Sequence, residues 1–202
     1  MKITLAHLDN MNVINKHGKT YAGGSQEWYS ERFQRLSGCG PTAASNLIWY
    51  MTHSRAEQAT AGSNSMEKYL ELQNSMFSFV TPGMGGVKDP AVFADGITRY
   101  ALEHGLSITP NILKIPAKPY KRPGFEVACS FLAAALQNGS PVAFLNLSNG
   151  TLKNLENWHW VTIIAVDTDT LAATICDQGN KLGVDLSAWL KTSVLGGAFV
   201  SI

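Results

Sequence analysis

The chain has 202 residues, of which 45% are hydrophobic and 15% are charged, and its formal net charge is +1. That is enough apolar material for a sizeable core, which needs neither disulfides nor a metal ion to hold it. The near-neutral charge, without a basic stripe, argues against nucleic acid or an anionic membrane surface as the main partner.

The first part of the chain is mostly helical by the spacing of its apolar residues. Residues 1–8 alternate weakly, as an edge strand does, and residues 10–36 are polar and rich in turns. Helices are predicted from Cys39 to near His53 or Ser54, from Met66 to Phe79, from Asp89 to Gly105 and from Phe125 to Gln137. A glycine-rich loop at 81–87 separates the second of these helices from the third, and a strand is predicted at 108–115.

After Asn138-Gly139 the apolar spacing changes from that of helices to that of buried strands. Strands are predicted at 141–147, 158–166, 171–176 and 198–202, with a short helix from Asp185 to Leu190. Helices followed by strands predict an α+β fold. We expect a single domain over residues 1–202, with a helical lobe at about 1–138 and a sheet lobe at about 139–202.

Cysteine usage and the first residues bear on the cellular compartment. Cys39, Cys129 and Cys176 are odd in number and widely spaced, which does not indicate a disulfide framework. Cys129 and Cys176 fall within helical and strand patterns and are expected to be packing residues. The first residues lack the apolar region of a signal peptide and no apolar run is long enough to span a membrane, so we expect a cytoplasmic protein, with secretion left open.

The most informative segment is Ser37-Gly38-Cys39-Gly40-Pro41-Thr42, which opens the first long helix. A thiol at a helix N-terminus meets the positive end of the helix dipole, which favours thiolate over thiol. Glycines on both sides of Cys39 allow a substrate backbone to approach the sulfur. The alternative is that Cys39 is a small buried hydrophobe, as free cysteines commonly are.

His159 is the candidate for the base that a nucleophilic cysteine requires. It opens an apolar strand between two tryptophans, where a charged group is costly unless it is paired. The other four histidines lie near a terminus, in a turn region or at helix ends. A histidine satisfied within the core is the competing interpretation of His159.

Asp177 ends the strand that follows. If that strand and the strand of His159 form a hairpin through the turn at 167–170, Asp177 falls close to His159 and its carboxylate can orient the imidazole. The alternative is that Asp177 only begins the turn that Gly179 completes. An acyl-transfer site also needs oxyanion donors, and Gln34 and Gln26 both precede Cys39, so either can supply the second donor beside the Cys39 backbone N–H.

Other chemistries lack their signatures. There is no His-Glu-x-x-His and no paired Cys-x-x-Cys, so no metal site is predicted. There is also no phosphate-binding glycine motif and no Gly-x-Ser-x-Gly elbow, so no cofactor is predicted.

The order of these blocks resembles the C39-like branch of the papain-like cysteine peptidases. The matching blocks are Gly38-Cys39-Gly40-Pro41-Thr42, Asn138 to Val142, His159-Trp160-Val161 through Asp167, and Asp177-x-Gly179. The resemblance implies a papain-like fold, in which an N-terminal helical lobe with the nucleophile helix packs against a C-terminal antiparallel sheet. It implies Cys39 as nucleophile, His159 as base and Asp177 as orienting residue, in a bacterial thiol protease.

The chain departs from the family pattern at two points. The Asp-Gln-Gly turn lacks the tryptophan often found before the glycine. Gln34 is one residue closer to Cys39 than the family's oxyanion glutamine, so Gln26 stays a candidate for that donor. The resemblance implies hydrolysis of a peptide or amide bond in a peptide or protein substrate. Two alternatives keep the same fold: a transpeptidase or acyltransferase using the same triad, and a catalytically silent binding module.

Overall fold

The computed structural model describes residues 1–55 and 64–202, and it has the predicted α+β plan. The helices are α1 (Arg32–Ser37), α2 (Cys39–Arg55), α3 (Met66–Phe79), α4 (Pro90–Glu103), α5 (Phe125–Gln137) and α6 (Leu186–Thr192). The strands are β1 (Lys2–Thr4), β2 (Asn12–Ile14), β3 (Thr20–Ala22), β4 (Asn111–Ile115), β5 (Val142–Asn146), β6 (His159–Asp167), β7 (Ala172–Asp177), β8 (Asn180–Asp185) and β9 (Gly197–Ser201). None of the helices in the described ranges is long and apolar enough to cross a membrane.

Seven of the strands form one antiparallel sheet in the order β4-β9-β5-β6-β7-β8, with β1 paired to the last residues of β6. The remaining strands, β2 and β3, form a separate hairpin. The division of the chain at about residue 138 stays a prediction, and two strands from before that point, β1 and β4, pair within the large sheet.

Helices cover both faces of the sheet. Side chains of successive strand residues point to opposite sides, so one strand contributes to the core on each face. On β5, Val142 and Phe144 lie in a core with α5 and α6, whereas Ala143 and Leu145 lie in a core with α2 and α4. Every residue of β5 is therefore buried. This arrangement fixes α2, which begins at Cys39, directly against the strands that lead into the candidate site.

The predicted helices and most of the predicted strands are present at nearly the predicted bounds. Asp89 caps α4 by accepting a hydrogen bond from the backbone N–H of Ala91. The hairpin predicted through residues 167–170 forms, with Thr162 opposite Cys176. Three strands were not predicted, namely β2, β3 and β8: the first two have three residues each, and β8 has only one buried residue, so none presents an apolar pattern.

Candidate active site

Cys39 lies at the junction of two helices that only Gly38 separates. The junction requires glycine, because a Cβ on residue 38 would lie 2.4 Å from the Gln34 carbonyl oxygen and 2.5 Å from the Tyr29 ring. Cys39 is the first residue of α2, and its side chain is buried to 8% exposure. The thiol is therefore held by a tight turn at the positive end of a long helix, as the sequence predicted.

His159 is the first residue of β6 and is buried. The residue before it, Trp158, has φ 56°, a left-handed conformation that non-glycine residues rarely adopt. The chain thus turns sharply before entering the strand, and the imidazole comes to the same cavity as Cys39.

Asp177 is the last residue of β7, the strand that pairs with β6. Its Oδ1 atom is 2.7 Å from Nε2 of His159, and both side chains are largely buried, at 13% and 6% exposure. Because a carboxylate only accepts, Nε2 carries the proton and donates to Asp177. The Nδ1 atom is then the ring atom left to share a proton with Cys39.

The pKa of His159 is raised from 6.5 to about 10. Burial alone lowers the pKa of an imidazole, because it penalises the charged form. Hydrogen bonds to Asp177 and Cys39, together with the charges of both groups, outweigh burial and favour the imidazolium. The environment of His159 therefore couples it to the thiol on one side and the carboxylate on the other.

Cys39 and His159 border an open cleft of about 300 Å³ on the protein surface, and Asp177 joins them in lining a second, smaller cavity. The lining of the open cleft consists of Gln26, Leu36, Cys39, Gly85, Gly86, Lys88, Glu156, Asn157, Trp158 and His159. The glycine-rich loop and Trp158 thus border the cleft. Trp160, by contrast, is buried and stacked on Phe93, and its indole N–H donates to the Val87 carbonyl at 2.7 Å. A thiol and an imidazole are thus among the groups that line one open cleft.

The two candidate glutamines lie in different places. Gln26 lines the cleft with Cys39, and its Nε2 donates to the carbonyl oxygen of Arg35 at 2.9 Å. Gln34 lies within α1, half-buried, and is not among the residues that line the two cavities described above for Cys39. Position therefore favours Gln26 as the side-chain donor.

A buried polar network lies behind the site, and no sequence pattern had singled it out. Asn46 of α2 accepts hydrogen bonds from the Gly24 N–H at 2.8 Å and the Tyr69 hydroxyl at 2.7 Å, and it donates to the hydroxyl of Thr162 at 3.0 Å. Since Thr162 belongs to β6, this one side chain joins the helix of Cys39 to the strand of His159. In sequence, such residues are indistinguishable from exposed polar residues.

The other two cysteines lie in the core. Burial raises the pKa of the Cys129 thiol and raises that of Cys176 to about 12. All three thiols are free. Among the described residues, no group of three or more His, Cys, Asp or Glu side chains is arranged to hold a metal ion.

Comparison with known proteins gives little beyond this geometry. No family model matches the chain, and no curated protein matches it. Among solved structures, it is similar to xylellain, a cysteine protease from Xylella fastidiosa, with 13% sequence identity and a TM-score of 0.39 over 100% of this chain and 85% of that one.

Proposed function

We propose that the protein is a papain-like cysteine peptidase of the C39-like type, with Cys39 as nucleophile, His159 as base and Asp177 as orienting residue. One observation carries the proposal: a buried imidazole lies between a carboxylate at 2.7 Å and a thiol at a helix N-terminus. A nucleophile, a base and a group that orients the base are the parts that nucleophilic acyl transfer requires.

The first half of the reaction forms an acyl-enzyme. Nδ1 of His159 already holds the proton that Cys39 gives up, as the raised pKa of the imidazole favours, and the thiolate attacks the carbonyl carbon of the scissile bond. The charge that develops on the carbonyl oxygen is met by the Cys39 backbone N–H and by the Gln26 side chain. When the C–N bond breaks, the imidazolium returns its proton to the leaving amine, and a thioester remains on Cys39.

The second half releases the product. Water gives a proton to His159 as its oxygen attacks the thioester carbon, and the C–S bond then breaks. Asp177 holds the imidazole with Nδ1 toward the sulfur through both halves, so the same ring serves as base and as acid. No metal or cofactor takes part in the proposed scheme.

The direct test is the pH dependence of Cys39 alkylation by iodoacetamide, in the native protein and in His159→Ala. We expect native alkylation to persist well below ~8.5, the ordinary pKa of a free thiol, and to lose that low-pH reactivity in the variant. Cys129 and Cys176 react slowly because burial raises the pKa of each, and Cys39→Ser provides the background rate. An ordinary thiol profile that is the same in both proteins would refute the catalytic role and support a silent binding module.

Hydrolysis and acyl transfer are separated by their products. Native protein and Cys39→Ser are incubated with denatured casein, with and without hydroxylamine, and new peptide ends are identified by mass spectrometry. We expect new free carboxyl ends that depend on Cys39. Ends that form only with hydroxylamine would instead identify an acyltransferase using the same three residues.

A further inference from the structure

Gln178 follows Asp177 in the turn between β7 and β8, and its backbone is strained. Its φ is 46°, one of only four positive values among non-glycine residues in the described part of the chain. Two of those four residues, Trp158 and Gln178, adjoin His159 and Asp177 in sequence. This backbone conformation costs a non-glycine residue ~1 kcal/mol or more, so other contacts of Gln178 must compensate for that cost.

The amide oxygen of Gln178 accepts two hydrogen bonds from a segment more than 150 residues away. The hydroxyl of Ser25 donates at 2.6 Å and the backbone N–H of Gln26 donates at 3.1 Å. The turn that carries Asp177 is thereby bonded to the segment that carries Gln26, the cleft residue beside Cys39.

Two backbone hydrogen bonds join the same segments independently of the Gln178 side chain. The N–H of Gly179 donates to the Gly24 carbonyl at 3.0 Å, and the N–H of Ala22 donates to the Gly179 carbonyl at 2.8 Å. A substitution of the Gln178 side chain therefore leaves the segments paired. What it removes is the amide oxygen of residue 178 that accepts the hydrogen bond from the Gln26 backbone N–H.

The other side of the Gln26 segment is tied to the helix of Cys39. The Ser25 carbonyl accepts from Nε2 of Gln73 at 2.9 Å, and the same nitrogen donates to the Thr42 hydroxyl at 3.0 Å. Thr42 is on the first turn of α2. Gln178 thus completes a partly buried hydrogen-bonded path from the Asp177 turn, through the Gln26 segment, to the nucleophile helix.

We propose that Gln178 is a positioning residue: by accepting from the backbone N–H of Gln26 it fixes the backbone that carries the Gln26 side chain beside Cys39, so that the oxyanion donor and the turn carrying Asp177 move as one unit. This inference rests on the proposed function. It also gives a role to the glutamine found where the family pattern often has tryptophan.

Two reactions of Cys39 separate this role from a general effect on the thiol. With p-nitrophenyl acetate, an S–C bond forms and the C–O bond to p-nitrophenolate breaks. The proton of Cys39 stays on His159 while the acetyl oxygen carries negative charge. With iodoacetamide, an S–C bond forms and iodide leaves, and no oxyanion develops. The ratio of the acylation rate to the alkylation rate therefore reports on the oxyanion donors.

The test compares Gln178→Met, which keeps the shape but has no acceptor oxygen, with Gln178→Glu, which keeps one. We expect the rate ratio to fall about 10- to 100-fold in Gln178→Met, since loss of a whole oxyanion donor costs ~100- to 1,000-fold and here a donor is only loosened. In Gln178→Glu the ratio stays near the native value. Gln137→Met, at the exposed last residue of α5, is the matched control and leaves the ratio unchanged.

Hydrogen exchange of the Gln26 backbone N–H provides a readout that does not depend on catalysis. We expect faster exchange in Gln178→Met than in the native protein or Gln178→Glu. An unchanged rate ratio in Gln178→Met, or an equal loss in both variants, would overturn the positioning role while native acylation stays fast. Native acylation no faster than that of Cys39→Ser would instead refute the proposed function itself.

Discussion

Replacing Asp177 with alanine tests the side chain that holds the His159 ring. The substitution removes a buried hydrogen bond of 2.7 Å and the negative charge behind it. It leaves the contact between His159 and Cys39 in place, so the change isolates one of the two groups that raise the pKa of His159.

The size of the effect follows from the environment of the ring. The pKa of His159 is about 10 instead of 6.5, even though burial acts to lower it. A hydrogen bond to a charged group contributes ~1.5–3 kcal/mol, and 1.36 kcal/mol corresponds to a tenfold change in protonation. We therefore expect the midpoint of the His159 titration to fall by roughly one to two pH units in Asp177→Ala.

The assay is the pH titration of the imidazole resonances in protein labelled at histidine, where the other four histidines serve as internal references. Asp177→Asn keeps an acceptor oxygen without the charge and should give an intermediate midpoint. Asp167→Asn, at the opposite end of the same hairpin, should leave His159 unchanged. A His159 midpoint in Asp177→Ala equal to that of the native protein would refute the reasoning.

The same bond has a consequence for stability. A histidine whose pKa is raised on folding stabilises the fold fully below its unfolded pKa and loses that contribution as the pH rises through the folded pKa. For His159 this window runs from 6.5 to about 10. Asp177→Ala should therefore lower the free energy of unfolding more at pH 6 than at pH 11, as measured by urea denaturation.

Three further substitutions test the packing and hydrogen bonding around the site and core. Gly38→Ala should lower the free energy of unfolding by ~1–3 kcal/mol because its Cβ would overlap the Gln34 carbonyl oxygen, whereas Gly183→Ala, which has open space on the exposed strand β8, should have little effect in the same denaturation assay. Asn46→Leu breaks three buried hydrogen bonds and should lower the melting temperature and slow Cys39 alkylation together; an unchanged alkylation rate would contradict the link between helix and strand. Arg122→Met removes a guanidinium that donates to four backbone carbonyls and should reduce stability by ~1–3 kcal/mol without changing the alkylation profile.

Local signals explain what the sequence predicted correctly. The capping residue Asp89 and the glycine closures mark helix ends by backbone chemistry alone, and the long apolar run of β6 is buried whichever strands pair with it. The proximity of Asp177 to His159 followed from one assumption, that consecutive strands form a hairpin, and the structure has that hairpin.

The choice between the two candidate glutamines depends on how the chain folds between residue 26 and Cys39. Spacing could not choose between Gln26 and Gln34, because the distance along the chain to Cys39 does not report how residues 26–38 fold. A short helix and a hydrogen bond from the Gln26 side chain to the Arg35 carbonyl bring the more distant glutamine back to the cleft. The β8 strand escaped prediction for a simpler reason, since an edge strand with one buried residue has almost no apolar pattern.

The position of α2 on the sheet has a consequence for the folding of the protein. Cys39 is separated from His159 and Asp177 by more than a hundred residues, and only the packing of α2 against the sheet brings the thiol to the imidazole. In any intermediate in which the sheet has formed but α2 has not docked, the His159–Asp177 pair would be intact. The Cys39 thiol would lie away from that pair and would react as an ordinary thiol. If Cys39 is activated as proposed, its alkylation rate during refolding reports the docking of α2 on the sheet.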